Sequence, residues 1–282
     1  MSEIRVWVDG RLVEADVPSV RALDHGVTVG DGGFETAKVV DGEVFAMSRH
    51  LRRMDRTLSG LGLPPADHDV IRAGAAAVLS AGEPIGFGRL RWTVTGGAGP
   101  LGSDRAGSAL TYIVTAGPQP EPAAGGAVVT VPWTRNERAA TAGLKTTSYA
   151  DNVVALAHAK ERGAVEAIFG NGRGELCEGT GSNIFVVVDG VIRTPPLSSG
   201  CLAGITRELT LEWCAAAGVE VREEPLPLDV LLTCEEVFLT SSTRDVYAVG
   251  SVDGRALASA GPLTATAAEA FAAGAARAGM DP

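Results

Sequence analysis

Four Asp-Gly pairs that separate apolar stretches constrain the fold of this 282-residue chain more than any other feature. A type I′ turn needs positive φ at both central residues, and Asp-Gly between apolar runs is the strongest short-range signal for a β-hairpin. The pairs are Asp9-Gly10, Asp41-Gly42, Asp189-Gly190 and, with weaker flanking strands, Asp253-Gly254. They occur in both halves of the chain and therefore predict abundant antiparallel sheet.

Helical periodicity fills the segments between these hairpins. Apolar residues recur at spacings of three and four, which predicts helices over 50–62, 70–79, 151–162, 206–217 and 263–278. Asp67 is a suitable N-cap for the second helix. Short β-rich runs predict further strands over 89–94, 111–115, 127–133, 167–169 and 237–240. The expected fold class is α+β.

A change in composition near the middle of the chain predicts a domain boundary. Residues 117–126 contain three prolines and three glycines, which are incompatible with a regular element. We interpret 119–126 as a linker between a small N-terminal α+β domain, residues 1–118, and a larger C-terminal domain, residues 127–282. The length of the chain agrees with one large domain or two small ones.

Composition narrows the class of function. The formal net charge of −10 argues against a nucleic-acid partner, whose phosphates bind lysine and arginine. No apolar run reaches about 18 residues and the start of the chain lacks an apolar core, so we expect neither a membrane span nor a signal peptide. No C-x-x-C pair occurs among Cys177, Cys201, Cys214 and Cys234. We therefore expect no metal site, and we expect the protein to be cytoplasmic with its thiols reduced.

Two charged residues stand where chemistry is possible. Lys145 lies at an apolar-to-polar transition just before a helix, where desolvation would make its amine a nucleophile. The alternative is a solvated surface lysine. Glu178 heads a Gly-rich loop that enters the apolar strand 184–188. Its carboxylate is held near a buried cation or lies exposed on a turn.

Three further segments have groups suited to an anion. A helix is expected to start near Gly204, with Thr206 as its N-cap. The backbone N–H groups of Ile205 and Thr206 would be exposed at this start. Such a helix start binds a phosphate group, or it is simply capped. The hydroxyl cluster 240–243 follows a strand, where it contacts phosphate or simply forms a turn. Arg53 borders the apolar stripe of the first long helix, where it reaches inward or stays solvated.

In this order the segments resemble the fold-type IV pyridoxal-phosphate enzymes, the group of D-amino-acid aminotransferases, branched-chain aminotransferases and aminodeoxychorismate lyases. The resemblance covers nearly the whole chain. It implies a two-domain fold with a barrel-like antiparallel sheet in the C-terminal domain, and a homodimer. Six motifs carry it: Gly30-Asp-Gly-Gly-Phe-Glu35, His50-Leu-Arg-Arg53, Leu144-Lys145, Glu178-Gly-Thr-Gly-Ser-Asn-Ile-Phe185, Leu202-Ala-Gly-Ile-Thr-Arg207 and Glu236-Val-Phe-Leu-Thr-Ser-Ser242.

The resemblance also implies a role for each cofactor-binding residue. Lys145 would form the Schiff base with pyridoxal 5′-phosphate, and Glu178 would pair with the pyridinium nitrogen. Arg53 would bind the phosphate, together with the N–H groups of Ile205 and Thr206 and the hydroxyl of Ser242. A carboxylate keeps the ring nitrogen protonated, and an arginine fork suits a phosphate dianion.

The substrate side departs from the family pattern. Many D-amino-acid aminotransferases have Arg-x-His on the loop after the third strand, whereas the matching stretch Pro100–Ser103 has none. Phe34 stands where those enzymes have a tyrosine. We expect Arg91 to bind the substrate carboxylate instead, with Arg138 as a second candidate. The alternative for Arg91 is an outward-pointing residue on an alternating strand.

The expected activity is transfer of an amino group from a D-amino acid to a 2-oxo acid, with (R)-amines as further donors. The alternative is 4-amino-4-deoxychorismate lyase, which releases pyruvate and 4-aminobenzoate. Glu35 and Ser148 stand where the lyases often have Thr and Asn, which favours transamination. A third alternative is a non-catalytic binding protein, which the joint presence of Lys145, Glu178 and Arg53 argues against.

Overall fold

The computed structural model describes residues 4–123, 125–257 and 261–282. The chain divides into two compact units. The first comprises Met1–Glu121, Leu144–Ser148 and Met280–Pro282, and the second comprises Pro122–Gly143 and Tyr149–Gly279. Residues 1–3, at the start of the chain where no signal peptide is expected, and Ala124 of the expected linker lie outside the described residues.

The first unit is built on a six-stranded antiparallel sheet with the strand order β2-β1-β6-β5-β3-β4. Its strands are β1 (Arg5–Val8), β2 (Arg11–Val13), β3 (Gly32–Val40), β4 (Glu43–Val44), β5 (Phe87–Thr95) and β6 (Thr111–Pro118). Its helices are α1 (His25–Thr28), α2 (Met47–Leu61) and α3 (His68–Ser80).

The core of the first unit lies where α2 and α3 pack on this sheet. The predicted stripe of α2 is confirmed, because Leu51, Met54 and Leu58 are almost completely buried. They pack in one cluster with Trp92 of β5. The predicted cap is confirmed as well, since Asp67 accepts hydrogen bonds from the backbone N–H groups of the first turn of α3.

The second unit is built on a nine-stranded sheet with the path β12-β11-β10-β13-β14-β7-β8-β9, to which β15 adds beside β14. Its strands are β7 (Gly126–Arg135), β8 (Glu166–Asn171), β9 (Leu176–Gly179), β10 (Asn183–Val188), β11 (Val191–Thr194), β12 (Val221–Glu223), β13 (Glu236–Ser241), β14 (Asp245–Val252) and β15 (Arg255–Ala256). Its helices are α4 (Ala150–Glu161), α5 (Ile205–Ala216) and α6 (Pro262–Ala278).

All four Asp-Gly hairpins are confirmed. They join β1 to β2, β3 to β4, β10 to β11, and β14 to β15. The aspartates have φ of 43° to 52° and the glycines 68° to 93°, as a type I′ turn requires.

The sheet of the second unit also contains parallel pairs, which the expected antiparallel sheet did not include. Strand β7 runs parallel to β8 and β14, and β11 runs parallel to β12. In the chain, helix α4 lies between β7 and β8, and helix α5 lies between β11 and β12. Each helix returns the chain to the end of the sheet where the previous strand began, so the next strand can run parallel to it.

The sequence predicted neither a membrane-spanning helix nor disulfide bonds. Among the described residues, no helix combines the length and the apolar character that crossing a bilayer requires. The four cysteines are buried and free.

Candidate active site

The segment with Lys145 pairs with the beginning of β3. The backbone N–H of Phe34 donates to the carbonyl of Lys145 at 3.0 Å, and that of Thr147 donates to Gly32 at 2.8 Å. The expectation placed Lys145 in the C-terminal domain because of its position along the chain. These hydrogen bonds instead group residues 144–148 with the first unit. The domain boundaries themselves stay a prediction.

Helix α2 brings three polar side chains to one face. His50, Arg53 and Thr57 are three and four residues apart, so they line the same side of the helix. Thr57 Oγ1 accepts a hydrogen bond from the backbone N–H of Lys145 at 3.2 Å. A side chain at Gly33 would come within 2.9 Å of Thr57, so glycine is needed where β3 passes this helix.

Arg53 and His50 meet the carboxylate of Glu35 in the interior of the first unit. Arg53 donates from Nε to Oε1 at 2.8 Å and from Nη2 to Oε2 at 2.6 Å, while His50 Nδ1 lies 2.6 Å from Oε2. All three side chains are buried. Arg53 is thus turned inward, which was one of the two interpretations from sequence, and its role toward phosphate stays a prediction.

The pKa values of this cluster follow from burial and from the ion pair. Burial opposes ionisation of Glu35, but the charge and hydrogen bonds of Arg53, with the hydrogen bond of His50, outweigh it and lower the pKa to about 2. Burial lowers the pKa of His50, although Glu35 acts in the opposite direction. His50 is therefore neutral and donates its Nδ1–H to an ionised Glu35.

Phe34 connects the lysine with a possible substrate-binding arginine. Its ring centroid lies 4.5 Å from Lys145 Nζ and 3.8 Å from Arg91 Cζ. In the register of β3 and β5, Arg91 lies opposite Thr36 and Arg89 opposite Lys38. This face of the sheet therefore has three cationic side chains, Lys38, Arg89 and Arg91.

The loop after β5 uses its arginine for a structural contact. Arg105 donates to both carboxylate oxygens of Asp31 at 2.7 and 2.6 Å. It also donates to the carbonyls of Leu61 and Gly62 at the end of α2. On the stretch that lacks the Arg-x-His motif, Leu101 is 85% exposed.

Glu178 belongs to the second unit, where a cation accompanies it. Its Oε1 lies 3.1 Å from Arg135 Nε, and its Oε2 accepts a hydrogen bond from the backbone N–H of Leu202 at 2.9 Å. Arg135 also lies over the ring of Phe169 at 4.4 Å. Of the two interpretations from sequence, the paired carboxylate is the one that is observed. Sequence reasoning missed Arg135, since an arginine at the end of a strand has no distinguishing signal.

The N-cap of α5 lies two residues before the predicted one. Gly204 is the N-cap, with extended backbone (φ −70°, ψ 135°) and no side-chain cap, so the prediction of Thr206 as N-cap is wrong. A Cβ at Gly204 would lie 1.9 Å from Asn183 Oδ1, which excludes larger residues there. Ile205 and Thr206 form the first turn, whose N–H groups have no partner within the helix.

The two remaining predicted residues occupy turns of the second unit. Ser242 lies half-buried in the turn between β13 and β14. The side chain of Arg138 is 82% exposed, and its Nε lies 3.7 Å from Glu137 Oε1. The roles of both residues stay predictions.

Comparison with known proteins identifies the family. The class IV amino-transferase family matches residues 32–252. The chain belongs to this family. It is 31% identical over 272 residues to a D-alanine aminotransferase of Bacillus licheniformis, with 93% of each chain covered. The family makes the chain a pyridoxal-phosphate-dependent transaminase or lyase.

Solved structures of aminotransferases have the same fold. A branched-chain aminotransferase of the archaeon Thermoproteus uzoniensis, solved with norvaline, aligns with a TM-score of 0.87 at 28% identity, covering 95% of this chain and 93% of the other. A hypothetical aminotransferase of Mycobacterium tuberculosis in its PLP-bound form aligns with a TM-score of 0.82 at 27% identity, covering 96% and 98%. The predicted fold class, with its curled half-barrel sheet, is confirmed.

The side chains present fit pyridoxal phosphate. Lys145 of the first unit would supply a primary amine for its aldehyde. In the second unit Glu178, whose charge is balanced by Arg135, would supply a carboxylate for the ring nitrogen. At Gly204, where a Cβ has no room, the glycine-capped start of α5 suits a phosphate group.

We expect Glu35→Gln to weaken the fold and to flatten its response to acid. The pKa of Glu35 falls from 4.5 to about 2 on folding, so the stabilisation is complete above pH 4.5 and is lost as the pH falls towards 2. That shift corresponds to about 3 kcal/mol at neutral pH, and removing one partner of a buried ion pair typically costs about 3–5 kcal/mol, so the two figures estimate the same loss and agree.

Urea denaturation from pH 7 to 2.5 measures both effects. Glu220→Gln is the matched control, because Glu220 pairs with Arg222 on the surface and should change little. An acid response of Glu35→Gln as steep as that of the unmodified chain would contradict the assignment.

Proposed function

We propose that this enzyme transfers the amino group of a D-amino acid to a 2-oxo acid. The observation that carries the proposal is the shared contact of Lys145 and Arg91 with Phe34. A substrate carboxylate bound by the Arg91 guanidinium would bring its Cα towards the Lys145 amine, which must act on that carbon. The similarity to a D-alanine aminotransferase supports the choice of D-amino acids.

Each residue has one proposed task. Pyridoxal phosphate, when bound, supplies an aldehyde that condenses with amines and a ring that accepts electrons from the substrate Cα. Lys145 carries the cofactor and moves the Cα proton on its Nζ. Glu178, already balanced by Arg135, holds the proton of the ring nitrogen. Arg53 and the polar groups of Ile205, Thr206 and Ser242 bind the phosphate.

Binding of the substrate carboxylate is proposed to fall to Arg91. Arg105 of the neighbouring loop donates two hydrogen bonds to the carboxylate of Asp31. This contact supports a residue other than Arg105 as the one that binds the substrate carboxylate. Arg91 is exposed on its strand, and the stretch Pro100–Ser103 lacks the Arg-x-His motif, so the substrate carboxylate should be held less tightly than by that motif. This arrangement supports broad tolerance, including (R)-amines that have no carboxylate. Arg138 stays the second candidate.

The reaction and its stereochemistry can be tested on the loaded enzyme. The absorbance change of the bound cofactor is followed with D- and L-alanine, D- and L-glutamate, and an (R)-amine, each without a 2-oxo acid. We expect conversion with the D-amino acids at least tenfold faster than with the L-enantiomers. Preference for L-amino acids would contradict the proposal. Rapid release of 4-aminobenzoate and pyruvate from aminodeoxychorismate, with negligible conversion of D-amino acids, would favour the lyase.

The role of Arg91 predicts a selective effect of its removal. Loss of a charge-assisted contact costs about 1.5–3 kcal/mol, so Arg91→Ala should raise KM for D-amino acids about ten- to a hundredfold. KM for a carboxylate-free (R)-amine should change less than twofold. Arg89→Ala is the matched control, two residues earlier on the same strand. Equal losses for both substrate types, or the same effect in Arg89→Ala, would place the carboxylate elsewhere.

We further propose that the enzyme is a homodimer. Large apolar side chains near the start of the first unit are about half exposed, which is unusual for so many residues in one short segment: Leu12, Val17, Leu23, Val27 and Val29. A second copy of the chain would remove them from water. Sedimentation equilibrium should give twice the chain mass of 28.9 kDa, and a mass of one chain at micromolar concentration would contradict the dimer.

A further inference from the structure

A buried carboxylate at the beginning of β8 has no task in the proposed reaction. The side chain of Glu166 is 3% exposed. Its Oε1 accepts hydrogen bonds from the backbone N–H of Gly181 at 2.6 Å and from Ser182 Oγ at 2.7 Å. Its Oε2 forms an ion pair with the guanidinium of Arg244. Glu166 therefore binds the Gly-rich loop that follows Glu178.

Arg244 connects this carboxylate with a different segment. It lies at the end of the turn between β13 and β14, where its backbone N–H donates to the carbonyl of Ser241 at 3.1 Å. Its Nε donates to Ser241 Oγ, also at 3.1 Å, and its guanidinium lies 5.1 Å from the ring centroid of Tyr247. The turn held in this way contains Ser242. One ion pair thus joins β8, the Gly-rich loop and the turn.

The opposite side of the loop is held independently. The carbonyl of Thr180 accepts hydrogen bonds from Asn152 Nδ2 at 2.6 Å and from Tyr149 Oη at 3.2 Å. A Cβ at Gly179 would come within 2.5 Å of both Glu166 Oε1 and Ser182 Oγ, so only glycine lets the carboxylate approach this closely. The position of the Gly-rich loop is therefore fixed from two sides, and the ion pair between Glu166 and Arg244 can fix the turn that contains Ser242 relative to it.

We propose that the Glu166–Arg244 pair is a positioning device that holds the turn carrying Ser242 at a set distance from the loop after Glu178. The inference rests on the proposed role of Ser242 in binding phosphate. Neither Glu166 nor Arg244 needs to contact the cofactor. Without the ion pair the turn gains conformational freedom. Binding of a phosphate group must then order the turn again, and because this ordering costs free energy the affinity for the phosphate group falls.

The test compares two probes that differ only in the phosphate. Dissociation constants of pyridoxal phosphate and of pyridoxal are measured by absorbance titration of the cofactor-free protein. Arg244→Met should weaken pyridoxal phosphate about tenfold and pyridoxal less than twofold, and Arg244→Lys should recover part of the loss. Arg222→Met, in the surface pair with Glu220, is the matched control and should change neither constant.

A second variant guards against misfolding. Arg244→Met leaves Glu166 buried without its cation, whereas Arg244→Met combined with Glu166→Gln leaves no uncompensated charge. The double variant should fold and show the same selective loss. Unchanged affinity for pyridoxal phosphate in the double variant, or equal losses for both probes, would overturn the inference.

Ser242→Ala separates this inference from the proposed function. If Ser242→Ala weakens pyridoxal phosphate selectively and the Arg244 variants do not, the positioning inference alone is wrong. If Ser242→Ala affects both probes equally or neither, the proposed role of Ser242 is wrong, and the inference is overturned with it.

Discussion

The buried carboxylate of Glu35 determines how the first unit is assembled around Lys145. A carboxylate without solvent contact is tolerated only with a cation and further donors, and Arg53 and His50 of α2 provide both. This requirement places one face of α2 against the start of β3. The same face presents Thr57, which holds the backbone of Lys145. The position of Lys145 thus depends on an ion pair to which it does not itself belong.

The second unit uses buried and half-buried ion pairs in the same way. Glu178 is balanced by Arg135, and Glu166 by Arg244. Buried pairs add little net stability, because desolvation offsets their attraction, but breaking one is costly. They therefore define where a loop must lie more than how stable the fold is. In this unit they define the loop after Glu178, the residue proposed to face the ring nitrogen of the cofactor.

Features set by neighbouring residues could be predicted from sequence. The Asp-Gly turns and the cap at Asp67 depend on φ values and hydrogen bonds within a few residues, and both are confirmed. The class IV family could be recognised from its motifs. Features set by contacts between distant segments could not be predicted. The grouping of Lys145 with the first unit results from pairing with β3, more than 100 residues earlier.

The ion-pair partners of the candidate site could not be predicted from the sequence either. Glu35 and Arg53 were both in recognised motifs, but nothing in their spacing shows that they form a pair. Arg135 and Arg244 belong to none of the quoted motifs, and only the folded chain brings them to Glu178 and Glu166. An ion pair between segments leaves no periodic pattern in one sequence.

Lys145 is proposed to carry the cofactor, and the low lysine content of the chain makes this assignment measurable. The chain has only three lysines: Lys38 is buried and lies 4.8 Å from the Phe45 ring, Lys160 is exposed on α4, and Lys145 pairs with β3. Borohydride reduction of the protein loaded with pyridoxal phosphate, followed by peptide mapping, identifies the modified residue. We expect a pyridoxyl group on Lys145 in near-stoichiometric yield. A pyridoxyl group on Lys38 or Lys160, with Lys145 unmodified, would contradict it.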